Sequence, residues 1–177
     1  MKTTFAKLVS VIMLTLTTGG CFMEAEAAKT LTPDQQAEVK AIRLIAKYEG
    51  FRPSAYVCPG GRDTIGYGFT DPELIKKGSI TRQEADRLLG IKVRQEIAWL
   101  NKQGLPRMTP SQKAALVSWC YNLGHGNFLK STMLKRIREG NWAAAQRECN
   151  RWVFSNGIRL GGLVNRRAEE GAMLMMA

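Results

Sequence analysis

Three residues with reactive or hydrogen-bonding side chains lie close together in the segment YEGFRPSAYVCPGGRDTIGYGFT, residues 48–70. They are Glu49, Cys58 and Thr64. Cleavage of a glycosidic bond needs an acid on one side of the bond and, on the other, a group that attacks or that holds or activates water. The sequence predicts Glu49 as the acid, Thr64 as a hydroxyl that orients water, and Cys58 at the position opposite Glu49, where a carboxylate is more usual. The nearest carboxylate, Asp63, falls in a predicted turn and is interpreted as a turn-forming residue.

A helix over residues 33–49 is expected to position Glu49. The pattern TPDQ at its start combines a capping hydroxyl, a proline and a glutamine. One apolar stripe on this helix ends in the carboxyl, because steps of three, four and three residues join Val39, Ile42, Ala46 and Glu49. Gly50 then ends the helix. Partial burial and the negative end of the helix dipole would both favour the protonated carboxyl that an acid catalyst needs.

A β-hairpin is expected to supply the other two side chains. The short β-prone pieces AYVC and TIGYGF flank PGGRD within residues 54–70. Pairing across that turn would bring Cys58 and Thr64 near each other. If the hairpin folds back over the end of the helix, Glu49 faces both residues across a cleft.

The rest of the chain predicts a mostly helical protein. Capping patterns mark helix starts at TRQE and TPSQ. The predicted helices after the hairpin are 81–102, 110–122, 131–139, 142–152 and 161–175. The fold class is therefore α+β, predominantly α, with one small β patch after the first helix.

The composition is that of a soluble globular protein with a strongly basic surface. The 177 residues carry 26 Lys and Arg against 15 Asp and Glu, a net charge of +11. Such a surface favours an anionic partner such as a cell-wall polymer, nucleic acid or anionic lipid. The basic residues are scattered, and no zinc-ligand spacing or basic and aromatic interleaving is present. We therefore expect no nucleic-acid partner.

The N-terminus predicts export from the cytoplasm. Two lysines precede an uncharged run of 16 residues, 8–23, which as a helix would reach about 24 Å, short of the roughly 30 Å bilayer core. Residues 1–28 are predicted to be an export signal or a weak, releasable signal-anchor, and residues 29–177 the catalytic domain. Cleavage after Ala27 or Ala28, retention as an anchor and lipid attachment at Cys21 remain alternatives. All three place the domain in the periplasm or outside the cell, with transient membrane association through residues 8–23 in the anchored form.

The spacing Glu-x8-Cys-x5-Thr, together with its flanks, resembles the active-site region of phage-type lysozymes (endolysins) of glycoside hydrolase family 24. The family pattern has Asp or Cys at the middle position and Ile-Gly-x-Gly after the threonine. The resemblance spans about residues 33–175 through the later blocks ALVSWCYNLGHGNF, STMLKRIREGNW and RWVFSNGIRLGGLVNRRAEE. Within this pattern the chain is a variant, with Cys58 in place of the commoner aspartate.

The resemblance implies hydrolysis of the β-1,4 bond between N-acetylmuramic acid and N-acetylglucosamine in peptidoglycan, leading to bacterial lysis. It implies Glu49 as general acid, Cys58 at the second catalytic position and Thr64 as the water-orienting hydroxyl. It further implies a lysozyme-like fold, with a small hairpin lobe packed on a larger helical lobe and a cleft between them. No metal or organic cofactor is implied, and we expect a monomer. Whether Cys58 acts as base, nucleophile or positioning group stays open, as does inversion or retention.

Other functions compete with this interpretation. A Cys58–His125 pair would make a cell-wall amidase or peptidase, because His125 is the one histidine in the chain. Loss of the usual carboxylate would instead leave a non-catalytic wall-binding domain. A lytic transglycosylase would use Glu49 alone and leave an anhydro product.

The four cysteines permit redox control of the site. Cys120 and Cys149 fall on apolar helix stripes, which predicts either buried free thiols or a bridge between them. Some endolysins with releasable anchors are held inactive by a disulfide on the catalytic cysteine. That resemblance suggests the hypothesis that a disulfide from Cys58 to Cys21, or to Cys120 or Cys149, holds this enzyme inactive.

Overall fold

The structure, a computed structural model, describes residues 31–57 and 61–176. Three helices carry most of the chain between the N-terminal region and residue 123. Their bounds are α1 Pro33–Glu49, α3 Arg82–Asn101 and α4 Pro110–Leu123, with the short helix α2 at Pro72–Lys77. The later helices are α5 His125–Lys130, α6 Thr132–Arg138, α7 Trp142–Cys149 and α8 Gly161–Leu174. Two antiparallel pairs, β1 Arg52–Val57 with β2 Asp63–Gly66 and β3 Phe154–Ser155 with β4 Ile158–Arg159, complete the described elements.

Side-chain caps start the main helices where the sequence predicts them. Thr109 accepts a hydrogen bond from the Gln112 amide while the Gln112 side chain accepts from the Thr109 amide, a complete capping box. Thr81 accepts from the Glu84 amide, but the Glu84 carboxylate pairs with Lys77 at 2.7 Å. The second predicted capping box is therefore only half formed.

Helix α4 is the centre of the hydrophobic core. Nine of its residues are buried, including the fully enclosed Trp119. A helix that is apolar around most of its circumference must be covered on several sides. Helices α1, α3, α5 and α8 pack around it. Two hydrogen bonds join the C-terminal end of α8 to the start of α4. Gln112 Nε2 donates to the Leu174 carbonyl, and Thr109 Oγ1 donates to the Met176 carbonyl.

The first β-hairpin follows α1 directly, as predicted. Tyr56 pairs with Thr64 and Val57 with Asp63, and the register shifts between Arg52 and Tyr56. After β2 the chain turns back on itself through two hydrogen bonds between Ile65 and Phe69. This turn carries residues 66–68 toward the end of α1.

The predicted fold class is confirmed: the described chain is mostly helical, with a small hairpin after the first helix. The sequence missed the short helices α2 and α5, each six residues long. Such short helices offer too few turns for a periodic pattern. The predicted helix 142–152 ends earlier, at Cys149. On α1 the fully buried face is Ala37, Ala41, Leu44 and Ile45; the predicted stripe lies beside it and is half-buried.

Within residues 31–57 and 61–176, no helix is long and apolar enough to cross a membrane. The same part of the chain contains no group of three or more His, Cys, Asp or Glu residues placed to hold a metal ion. The predicted export segment, with Cys21, lies outside the described residues, and so does Cys58.

Candidate active site

Glu49 is the last residue of α1, and its carboxylate is bound by one residue and closely approached by another part of the backbone. Its Oε1 accepts a hydrogen bond from Arg166 Nη1 at 2.7 Å. Its Oε2 faces the turn after β2, where a Cβ built on Gly68 would lie 3.1 Å away. The side chain retains 21% exposure. The carboxyl is thus fixed in direction while one face stays open to a substrate.

Gly68 allows the hairpin to approach this carboxylate. Its φ of +78° is a conformation that side chains with a Cβ rarely adopt. A glycine at this position therefore satisfies two demands, the left-handed backbone and the short distance to Glu49. The motif Ile-Gly-x-Gly already contains this glycine, but the motif alone does not explain why a glycine is needed there.

Thr64 lies in β2 and is 5% exposed. Its hydroxyl is within hydrogen-bonding distance of the carbonyls of Tyr56 at 3.2 Å and Arg62 at 3.4 Å, toward which it can donate. The oxygen keeps its lone pairs, which can accept a hydrogen from water. The two strands of the predicted hairpin pair up to Val57 and from Asp63 onward. Asp63, expected in the turn, is instead the exposed first residue of β2. The structure therefore brings the turn after Thr64 to Glu49, whereas the position of Cys58 lies outside the described residues.

Arg166 is the residue that the sequence analysis missed. It is 3% exposed, and besides Glu49 its guanidinium bonds the Ser118 carbonyl at 3.2 Å and Glu170 Oε1 at 3.2 Å. Arginine is always charged and its planar fork suits several acceptors at once. The available signal was the block NRRAEE, because Arg166 and Glu170 stand one turn apart on the same face as Leu174.

Tyr121 joins the hairpin to the helical core beside the same site. Its hydroxyl donates to the Tyr67 carbonyl at 2.7 Å. Burial raises the pKa of Tyr121, and the neighbouring Glu49 raises it further. The tyrosine therefore stays neutral and can act as a hydrogen-bond donor at any physiological pH.

A cavity of about 310 Å³ opens next to Glu49. Gly68, which closely approaches the carboxylate, and Tyr121, whose pKa is raised by burial and by Glu49, both line it. The remaining lining residues come from the turn after β2, from α3 and from the α4–α5 junction; they are Phe69, Thr70, Lys92, Gln95, Glu96, Cys120, Gly124 and His125. The lining is mostly polar and includes both signs of charge, a suitable surface for a carbohydrate.

The contacts of His125 account for its position without a cysteine partner. Its Nε2 lies 2.7 Å from Glu96 Oε2. Its ring stacks on Trp99 with centroids 3.6 Å apart and planes within 1°. The histidine is therefore a wall of the cavity, fixed by a carboxylate and an aromatic ring.

Cys120 and Cys149 are free thiols, both almost fully buried. Of the two predicted arrangements, the buried free thiols are confirmed. Burial raises the pKa of Cys149 to about 12 and raises that of Cys120 as well. Cys149 lies away from the cavity, whereas Cys120, although 3% exposed, also borders it.

Comparison with known proteins agrees with this geometry. The family described as Phage lysozyme matches residues 46–170. The chain is 37% identical over 142 residues to an endolysin of Acyrthosiphon pisum secondary endosymbiont phage 1, covering 78% of this chain and 97% of that protein. It is 34% identical over 125 residues to a SAR-endolysin of Bacteriophage PS119, covering 69% and 73%.

A solved structure, the muramidase domain of SpmX from Asticaccaulis excentricus, superimposes with a TM-score of 0.68 at 33% identity, covering 77% of this chain and 95% of that one. The chain spans between about half and three quarters of the other curated endolysins that it matches. The chain belongs to the phage lysozyme family.

Proposed function

We propose that Glu49 is the general acid of this peptidoglycan-hydrolysing lysozyme, with Cys58 at the second catalytic position and Thr64 orienting water. The observation that carries the proposal is the Glu49 carboxylate, which is bound by Arg166 and closely approached by Gly68, a residue that also lines a polar cavity. The substrate bond is the β-1,4 link between N-acetylmuramic acid and N-acetylglucosamine.

In the proposed reaction Glu49 donates its proton to the oxygen of the bond that breaks. Arg166 fixes the direction of the carboxyl, so that its open face points at that oxygen. Thr64 accepts a hydrogen bond from the attacking water, because its own hydrogen can donate to the carbonyl of Tyr56. Cys58 then activates this water, attacks the sugar, or positions the water. The three possibilities predict different activities for Cys58 variants and different products.

The cavity beside Glu49 is the proposed seat of a sugar of the glycan strand. Thr70, Gln95 and Glu96 offer hydrogen-bond donors and acceptors to hydroxyl and N-acetyl groups. Tyr121 and His125 add rigid aromatic walls, and Trp99 stacks behind the His125 ring. The net charge of +11 would draw the enzyme to an anionic wall polymer.

Hydrolysis of purified peptidoglycan tests these roles. Wild type, Glu49→Gln and Cys58→Ser are compared with and without reductant, and Glu139→Gln, on the surface next to Arg136, serves as the control. We expect loss of activity in Glu49→Gln and full activity in the control. A Cys58→Ser enzyme that still cuts would remove Cys58 from the chemistry. A product lighter by one water would identify a transglycosylase.

The amidase alternative has its own test. His125→Gln keeps a group that can bond Glu96 but cannot act as a base. A lysozyme should retain activity within about tenfold, because only a cavity wall changes. Release of peptide from the glycan, abolished by this substitution, would support the Cys58–His125 pair instead.

We further propose that residues 1–28 export the domain, residues 29–177, and tether it to the inner membrane before release. Support comes from the weakly apolar residues 8–23 and from similarity to a protein named SAR-endolysin. We take Cys21 as the partner for a lock on Cys58, since Cys120 and Cys149 are free thiols with almost no exposure. Membrane fractionation of the full chain, with thiol labelling of each fraction, tests this; a free Cys58 thiol in the membrane fraction contradicts the lock. Sedimentation of the released form tests the expected monomer.

A further inference from the structure

Glu170 is a buried acidic residue that the reaction above does not use. It is 0% exposed and lies on α8, one turn after Arg166. Its Oε1 accepts from Ser118 Oγ at 2.6 Å and from Arg166 Nε at 3.2 Å. Its two oxygens also lie 3.0 Å from Arg167 Nη2 and 2.9 Å from Arg167 Nε. A buried carboxylate with this many donors is held in one position.

Four charged side chains form one cluster at the end of α1. Glu49, Arg166, Glu170 and Arg167 alternate in sign, and their formal charges sum to zero. Arg166 bonds both carboxylates, with Nη1 directed to Glu49 and Nε to Glu170. Among the described residues Arg167 Nη1 and Nε make no hydrogen bond, and Glu170 is the carboxylate that pairs with this guanidinium.

Other titratable and charged groups surround this cluster. Burial raises the pKa of Glu170, and Arg167, Arg166 and the Ser118 hydrogen bond oppose that rise. The facing groups are Lys47 and Tyr48 on α1, Glu96 on α3, Cys120 and Tyr121 on α4, Cys149 on α7 and Glu169 on α8. Of the carboxylates among them, Glu169 is bonded to Lys47 and Tyr48 and Glu96 to His125.

We propose that Glu170 is a positioning residue for catalysis, which holds Arg166 against Glu49 and balances the buried charge so as to set the pH range of activity. Without its charge, two guanidinium groups would be opposed by Glu49 alone. Loss of the Glu49 proton would then become more favourable, and the enzyme would lose its acid at a lower pH. Without the Arg167 charge the cluster would instead carry one more negative than positive charge, and the opposite effect is expected. The proposal rests on the role of Glu49 as general acid.

The test measures the rate of peptidoglycan hydrolysis by the full chain from about pH 4 to about pH 9. In Glu170→Gln we expect a lower kcat, a similar KM and an alkaline limb moved by about one unit toward lower pH. In Arg167→Met we expect that limb to move toward higher pH. The matched control is Glu169→Gln, the same substitution on the adjacent residue, whose pair with Lys47 lies at the surface; its limb should stay in place.

A Glu170→Gln enzyme that is folded and has the wild-type alkaline limb would overturn the proposal, as would an equal shift in Glu169→Gln. If Glu170→Gln does not fold, Arg167→Met decides: a shift to higher pH supports the proposal and an unchanged limb overturns it. Failure of the proposed function is distinguishable, because it would show as activity in Glu49→Gln or none in wild type.

Discussion

Replacing Arg166 by methionine should destabilise the protein because it removes the centre of the buried charge cluster. The guanidinium is 3% exposed and bonds Glu49, Glu170 and the Ser118 carbonyl. Removing one partner of a buried ion pair lowers the free energy of unfolding by about 3–5 kcal/mol. Two features favour the lower end of that range: Glu170 keeps Arg167 at 2.9 Å, and Glu49, at 21% exposure, can gain water.

We therefore expect Arg166→Met to lose about 3 kcal/mol, which lowers the Tm by about 10 °C for a domain of this size. Urea denaturation followed by tryptophan fluorescence measures the change. Arg136→Met is the matched control, since Arg136 pairs with Glu139 on the surface at 2.9 Å; it should change stability by less than about 1 kcal/mol. If Arg166→Met also lost less than about 1 kcal/mol, the cluster would not contribute as argued.

Three further outcomes follow from contacts described above. Gly68→Ala should reduce hydrolysis far more than it reduces stability, because a Cβ there lies 3.1 Å from Glu49 Oε2 and the φ is +78°; rates and urea midpoints measured on one preparation check this, and an active alanine variant would contradict it. Cys120 and Cys149 should resist iodoacetamide at pH 8 in the native state and react in urea, as mass spectrometry would show; rapid native labelling would contradict their burial. Thr109→Ala should lose about 1 kcal/mol through its cap, with Thr132→Ala, on the exposed side of its helix start, nearly unchanged.

The parts of the fold that the sequence predicts are those written in local patterns. The helix that ends at Glu49 has a proline near its start and a glycine after its end, and the structure places it at Pro33–Glu49. The hairpin follows from β-prone pieces around a glycine-rich turn, but its register does not: Thr64 pairs with Tyr56. These signals act within a few residues, so that one sequence suffices to find them.

The partner of Glu49 could not be predicted in the same way. Arg166 stands 117 residues away, and a charged residue on a helix is ordinarily solvated. Its burial depends on Glu170 and Ser118, which surround it only once α8 packs on α4. The sequence predicts the surroundings of Glu49 only from burial and the helix dipole. The guanidinium 2.7 Å from its carboxylate reaches this place only in the tertiary fold. The role of Cys58 remains a prediction.

The separation of Glu49 from Arg166 along the chain also has a consequence for biosynthesis. Glu49 leaves the ribosome 117 residues before Arg166, and Leu174 and Met176, which bond the start of α4, are made later still. A nascent chain therefore has the Glu49 carboxyl long before it has the Arg166 guanidinium that binds it. We therefore expect unfinished chains, and chains clipped before α8, to carry Glu49 without the guanidinium that binds it and to lack hydrolase activity.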